Sequence, residues 1–247
     1  MDLVATAFEV AERYRTPVFI LADGIMGQAM EPVELKYRTP PRVATDWATT
    51  GADGRPPRIV RSMHLKAEDL ERHNRHLQAK YRQIERREVR WAGEQLGDAD
   101  LVVVAYGTAA RVARTAIERL REAGLRVGLF RPITLWPFPS RALVEAAEHA
   151  RGVLVVELSA GQMVEDVRLA IEGRQPVMFT GRTGGMVPTP GEVADALRRL
   201  YALTPDVPTH DDHVDEMVEL DGGELEGDPL ALLWAGFTPA SREETDR

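Results

Sequence analysis

The chain has 247 residues, 44% of them apolar, with no cysteine and a formal charge of −8. Such a composition fills an ordinary core, and the missing cysteines exclude disulfides, thiolate-bound zinc and iron–sulfur clusters held by this chain. No run approaches the roughly 18 apolar residues of a membrane span, and the opening MDLVATAFEVAERY, interrupted by Glu9 and Glu12, does not read as a signal peptide, so a cytoplasmic protein that does not enter a membrane is expected.

Taken in chain order, residues 3 to 15 place Leu3, Val4, Ala7, Phe8, Val10, Ala11 and Tyr14 at helical spacing. Pro17 then opens VFILA, which reads as a buried strand. One helix and one strand cannot make a sheet, so residues 1–38 look like the last piece of a domain whose other strands lie elsewhere. From about 39 to 62 the prolines at 40, 41, 56 and 57, with Gly51 and Gly54, break every periodicity and mark an extended connector. Residues 66 to 92 follow as a long charged helix with Leu70, Leu77, Tyr81, Ile84 and Trp91 as a thin apolar stripe. Its arginines alternate with Glu68, Asp69, Glu71, Glu85 and Glu88, a pattern that fits a solvated or partner-facing helix and not a nucleic-acid reader. Connector and helix together occupy 39–97.

Beyond Gly97 the pattern becomes regular. Strands are expected at about 100 to 105, 125 to 130, 152 to 157 and 176 to 180. They alternate with helices at 109 to 123, 140 to 150, 161 to 172 and 190 to 202. Continuous apolar strands such as LVVVAY and VLVVEL, separated by amphipathic helices, call for an α/β fold over 98–203, a parallel sheet with helices on both faces. Punctuation agrees: Gly124 falls where a helix should end, and Thr189-Pro190-Gly191-Glu192 supplies an N-cap, a proline at N1 and a capping-box glutamate. The segment 204–247 is different in kind. Residues 205 to 247 carry thirteen Asp and Glu against two Arg, a local charge of −11, which leaves +3 for the other 204 residues. Overall acidity therefore says nothing about the folded part, and the tail reads as flexible apart from the apolar LALLWAGF near Trp234.

In a parallel α/β sheet the functional loops gather at the carboxyl ends of the strands, where helix N-termini offer free amides. Four exits are expected there: 106–108, 131–136, 157–162 and 181–186. Gly107-Thr108 and the glycines of 181–186 match neither a Walker motif nor GxGxxG, so turn geometry is preferred to phosphate binding. Glu157 and Arg131, at neighbouring strand ends, suit either acid–base chemistry or a buried ion pair, the ion pair being preferred. Gln162 and Met163, at a helix start, read as packing residues. His210 and His213 among Asp211, Asp212 and Asp215 make a weak metal candidate. The second exit carries Arg131, Trp136, Phe138 and several prolines, the composition of a partner-facing ledge. Arg131, Trp136, Phe138, Gln162, Arg182 and Gly184 are the candidate interface residues. No catalytic, cofactor-binding or metal residue is assigned.

The strings AFEVAERYRTPVFILADGIMGQAMEPVEL, HNRHLQAKYRQIE, VAYGTAARVARTAIE, VGLFRPITLWPFP, VVELSAGQMVEDVRLAIEG and GRTGGMVPTP, in that order, resemble the alpha subunit of the thiamine-diphosphate-dependent 2-oxoacid:ferredoxin oxidoreductases. The likeness is to the branched-chain (2-oxoisovalerate, or 3-methyl-2-oxobutanoate) type, in its C-terminal portion, and spans about residues 7 to 200. It implies that 98–203 is a transketolase C-terminal-like domain and that 1–38 is the end of the pyrimidine-binding domain. It further implies a multi-subunit enzyme that decarboxylates a 2-oxoacid, reduces ferredoxin and releases an acyl-coenzyme A. Thiamine diphosphate and Mg would bind mainly on a beta subunit, iron–sulfur clusters would sit on other chains, and a gamma subunit and a ferredoxin-type subunit would complete the assembly. The family's glutamate that contacts the aminopyrimidine has no counterpart in this sequence, so a non-catalytic, assembly-forming portion is expected. The alternatives are a stand-alone interaction module without the activity, or a piece of a 2-oxoglutarate- or pyruvate-type subunit.

Overall fold

The computed structural model describes residues 2–32, 34 and 46–204, and the elements follow from the patterns above. Helix α1 (Asp2–Tyr14) and a short α2 (Gly24–Gln28) precede the long charged α3 (Ala67–Arg87). Next come β1 (Trp91–Glu94), β2 (Leu101–Val104), α4 (Gly107–Glu122), β3 (Val127–Pro132), α5 (Ser140–Ala147), β4 (Gly152–Glu157), α6 (Met163–Ile171), β5 (Val177–Gly181) and α7 (Pro190–Leu203).

The five strands form one sheet in the order β1-β3-β2-β4-β5. The four strands expected from the sequence all run parallel, as expected, with Val103 of β2 facing Leu129 on one side and Leu154 on the other. Period-2 side chains then feed two separate cores. Leu101, Val103, Leu129, Leu154 and Val156 point to one face, where α4 and α7 cover them through Ala113, Ile117, Leu197 and Leu200. Val102, Val104, Phe130, Val153 and Val155 point to the other, under α5 and α6 with Leu143, Val167 and Ile171. Helices therefore cover both faces. The chain steps from β2 to β3 with its helix on one face. It then crosses back over β2 to β4, and on to β5, with α5 and α6 on the opposite face. That change of face keeps each crossover of one hand.

Three sequence expectations need correction. The long helix stops at Arg87, and Trp91–Glu94 pairs antiparallel with β3, so the sheet is mixed and begins inside the stretch assigned to the connector. The cause is an aromatic contact: Trp91 stacks on Phe130 at 5.0 Å between ring centroids, which holds the segment on the sheet edge. Residues 18–22 form no strand, and Phe19 is 82% exposed, because the described residues bring no other strand beside them. The third correction concerns Glu157 and is set out with the site below. The acidic tail from residue 205, with its histidines and Trp234, lies outside the described residues.

The N-terminal part is tied to the sheet domain by a buried carboxylate. Glu88 is 3% exposed and accepts from Tyr14 Oη at 2.9 Å, Arg13 Nη1 at 2.9 Å and Arg90 Nη1 at 3.0 Å. Burial works to raise its pKa, but the hydrogen bonds from Tyr14, Arg90 and Arg13 outweigh burial and hold the carboxyl below its ordinary value.

Candidate functional site

The sheet fixes where a site can lie. The loops leaving β2 and β4 diverge to opposite faces, so the crevice between their carboxyl ends is the topological switch point of this fold. The loop 105–106 and the loop 158–162 border it, and each runs into a helix.

Both helix N-termini are already occupied. At α6 the buried Glu157 carboxylate folds back and accepts from the amides of Gln162 at 3.2 Å, Met163 at 3.1 Å and Val164 at 3.0 Å. Ser159 Oγ donates to the same carboxylate at 3.0 Å and accepts from Gly161 N at 3.0 Å, which closes the loop on itself. At α4 the acceptor comes from far away in sequence: Asp23 takes Thr108 N on Oδ2 at 3.1 Å and Thr108 Oγ1 on Oδ1 at 2.9 Å. The same carboxylate caps α2 by accepting from Met26 N at 2.8 Å. Burial pushes the Asp23 pKa upward, yet the hydrogen bonds from Met26 and Thr108 prevail and leave it below the usual value. Between these two anions stands Tyr106, whose hydroxyl is pushed above its ordinary pKa first by burial and then by the charges of Glu157 and Asp23. At α7 the expected capping box is present, Thr189 Oγ1 accepting from Glu192 N at 3.2 Å and Glu192 accepting from Thr189 N at 2.7 Å. Side chains of the chain itself therefore already sit at the positive ends of α4, α6 and α7, on three amides at α6 and on one each at α4 and α7.

This geometry overturns the preferred ion pair between Glu157 and Arg131. Arg131 belongs to β3 itself, opposite Ala92 of β1. Its charge acts on Glu94, whose pKa is lowered chiefly by a hydrogen bond from Arg114, against burial, with further help from the charges of Arg114 and Arg131. The expected adjacency fails because β2 lies between β3 and β4, which sets the Arg131 guanidinium two strands away, while the five residues between Glu157 and Met163 let the carboxylate reach amides of its own helix.

The other candidate interface residues are dispersed along the rim. Trp136 is 57% exposed and meets Tyr81 of α3 edge-on, with ring centroids 5.8 Å apart. Phe138 and Leu135 turn inward instead and pack against the core beneath α5, and Pro137 and Pro139 are buried. The ledge is therefore half anchor and half outward surface. Its start is fastened by Ile133 N and Thr134 N, which both donate to the carbonyl of Arg90. Gln162 is exposed at the start of α6, while Met163 is buried as a packing residue should be. Arg182 donates to Glu192 at 2.8 Å, and Gly184 is exposed with φ +65°, in the left-handed region that suits glycine. Sequence reasoning placed Tyr106 in the first strand exit without giving it a role, and it missed Asp23. The only local signal for Asp23 was an Asp followed by glycine at a helix start, and its second partner lies 85 residues away.

Elsewhere, a groove of about 470 Å3 opens at the amino ends of the strands, lined in part by Trp91, Leu96, Arg126 and His149. Its charged wall is internally neutralised, Asp98 by Arg121 and Asp100 by Arg126. Among the described residues no group of three or more acidic or histidine side chains is arranged to hold a metal ion, and no helix is long and apolar enough to cross a membrane.

Residues 99–193 match the model of the pyruvate:ferredoxin oxidoreductase core domain II family. The ketoisovalerate oxidoreductase subunit VorB of Methanothermobacter marburgensis is 42% identical over 203 residues, which cover 82% of this chain and 56% of that protein. The 2-oxoglutarate synthase subunit KorA of the same organism is 30% identical over 224 residues, covering 79% of this chain and 60% of KorA. The chain thus spans between half and two thirds of the length of these relatives. A solved 2-oxoglutarate:ferredoxin oxidoreductase from Magnetococcus marinus superposes with a TM-score of 0.49 at 23% identity, covering 56% of this chain and 24% of that one.

Proposed function

Since the chain belongs to the family of 2-oxoacid:ferredoxin oxidoreductase subunits over the stretch it shares with them, we propose that it is a non-catalytic portion of the alpha subunit of such an enzyme. In this reading its work is assembly, covering a beta subunit and shaping the border of the cofactor cleft. A gamma subunit and a ferredoxin-type subunit would complete the complex, and the reaction would convert a 2-oxoacid to an acyl-coenzyme A with reduction of ferredoxin. The observation that carries the reading is the 42% identity to a ketoisovalerate oxidoreductase subunit, sustained over 82% of this chain but only 56% of that subunit. The lower identity to the 2-oxoglutarate synthase subunit, 30%, favours a branched-chain 2-oxoacid as substrate.

Thiamine diphosphate and Mg are the cofactors such an enzyme requires, and the residues here do not fit them. The helix N-termini that would take a diphosphate hold Asp23, Glu157 and the Thr189–Glu192 box, and the described residues bring no carboxylates together for a divalent cation. No cysteine is present to hold iron–sulfur clusters. The cofactors are accordingly assigned to partner chains, and no chemical step is assigned to this one. In domain terms, 1–38 is the end of a pyrimidine-binding domain, followed by the connector and by the α/β domain.

The rim bearing Arg131, Trp136, Phe138, Gln162, Arg182 and Gly184 is the proposed contact surface. Trp136 offers the largest exposed aromatic there, the type of side chain that anchors interfaces. Reconstitution tests the reading. The full chain is combined with the beta, gamma and ferredoxin-type subunits and the rest of the alpha subunit, then supplied with thiamine diphosphate, Mg, coenzyme A and 2-oxoisovalerate. Turnover that requires this chain is expected, and turnover without it refutes the proposal. Trp136→Ala should weaken association by about 30-fold, the equivalent of ~2 kcal/mol, with thermal unfolding of the isolated chain little changed; unaltered association removes the rim from the interface.

A further inference from the structure

Where α1 ends, the chain takes a conformation that its residue type resists. Thr16 N donates to the carbonyl of Ala11 at 3.1 Å, the wrap that closes a helix C-terminus, and Arg15 within that wrap has φ +50°. Glycine is the usual occupant of such a left-handed position, because a Cβ there crowds the following carbonyl. The backbone of this turn does not call for arginine. The reason for it lies in the side chain.

The guanidinium of Arg15 lies over the ring of Trp47, 4.8 Å from its centroid. Next to it in the chain, Thr16 Oγ1 accepts from Lys80 Nζ at 3.3 Å, so α3 brings a second cation to the same corner. The two charges oppose each other: the Lys80 pKa is lowered first by burial and then by the charge of Arg15. Among the described residues no carboxylate pairs with either cation, although Arg13 nearby holds both Glu9 and Glu88. The negative end of α1 attracts one cation, but it gives no reason for two held against each other. Trp47 adds an unmet donor. Its Nε1 is buried and has no hydrogen-bond partner, whereas a buried indole N–H normally finds an acceptor. The corner therefore lacks two things together, negative charge and acceptor oxygens.

A carboxylate brings a single charge and two oxygens. A phosphate group brings close to two charges and at least three acceptor oxygens, enough for a forked guanidinium, an ammonium and an indole N–H at once. We propose that Arg15, Lys80 and Trp47 form a binding site for a phosphate group, either inorganic phosphate or the end of a phosphate monoester. Arg15 is exposed and meets the anion from solvent, Lys80 supplies the second charge, and the indole N–H donates to an oxygen beside the guanidinium. The site is separate from the helix N-termini described above. It also stands independently of the assembly reading, since every residue in it belongs to this chain.

The test is a titration of the 15N-labelled full chain with inorganic phosphate at constant ionic strength, read on the indole N–H signals by NMR. The Trp47 signal, assigned by its loss in Trp47→Phe, should move and saturate with a Kd on the order of 1 mM, while those of Trp91 and Trp136 stay in place. A second titration with glycerol 3-phosphate distinguishes the sources: tighter binding than phosphate identifies an ester as the ligand, and weaker binding the free ion. Arg15→Gly should abolish the movement and yet melt at the parent's temperature or above it, because glycine suits the turn. Lys80→Gln should weaken binding by about 10-fold. A Trp47 signal that moves no more with phosphate than with chloride overturns the inference. So does an Arg15→Gly variant that binds phosphate as the parent does, or equal saturation by acetate, which marks a site for any small anion.

Discussion

Replacing Glu157 by alanine removes the acceptor for four donors at once, the hydroxyl of Ser159 and the amides of Gln162, Met163 and Val164. Met163 and Val164 are themselves buried, so water does not readily replace the lost partner. Each buried amide left unsatisfied costs about 1 to 3 kcal/mol, and loss of an N-terminal anion from the helix dipole adds ~0.5 kcal/mol. Partial relaxation of a nine-residue helix recovers some of this, which leaves a net loss of about 3 to 4 kcal/mol. For a domain of roughly 100 residues that corresponds to a melting temperature lower by about 15 to 25 °C. Glu157→Gln keeps one carbonyl oxygen in place, and its loss should be about 1 to 2 kcal/mol. Urea unfolding of the full chain followed by circular dichroism at neutral pH measures both. An alanine variant within about 1 kcal/mol of the parent would show that the carboxylate is incidental and that the amides find other acceptors.

Three further outcomes are expected. Glu88 has a folded pKa below its unfolded value, so its stabilisation is fully present above the ordinary carboxylate range, near pH 4.5, and is lost as the pH falls through the lower folded value. Glu88→Gln should therefore destabilise the chain at neutral pH by about 2 to 3 kcal/mol and flatten the acid limb of a plot of melting temperature against pH; an unchanged limb refutes the role. Asp23→Ala should speed amide exchange in α2 and at Thr108 and cost about 1 to 2 kcal/mol in urea unfolding, whereas Asp23→Asn should recover part of the loss. Gly181→Ala places a Cβ 2.5 Å from the carbonyl oxygen of Ser159 and 2.5 Å from the ring of Phe179. The resulting strain should lower stability by about 1 to 3 kcal/mol in the same assay.

The part of the fold legible in the sequence is the part where one residue's neighbours decide its state. The four parallel strands come from continuous apolar runs, and the helices between them from 3.6-residue spacing with capping signals such as Thr189 and Glu192, so their positions agree with the structure to within a few residues. β1 was hidden because WAGE is short and follows a charged helix without a turn signal. What puts it on the sheet is Trp91 lying on Phe130, a contact across 39 positions. VFILA was read as a strand from composition, and the composition is right, but a strand is a property of two partners and only one is present here. The site was the least legible. Asp23 and Thr108 are joined by hydrogen bonds across 85 residues, and Glu157 satisfies its own helix and not the arginine that charge alone suggested.

The self-capped helix starts have a bearing on engineering. Nucleotide-binding α/β folds acquire ligands by remodelling the loop before a helix, which works because the amides there are idle. In this chain a designer would first have to evict Asp23 or Glu157, and each eviction weakens the scaffold before any new anion arrives to restore it. The domain is consequently poor ground for grafting a phosphate pocket.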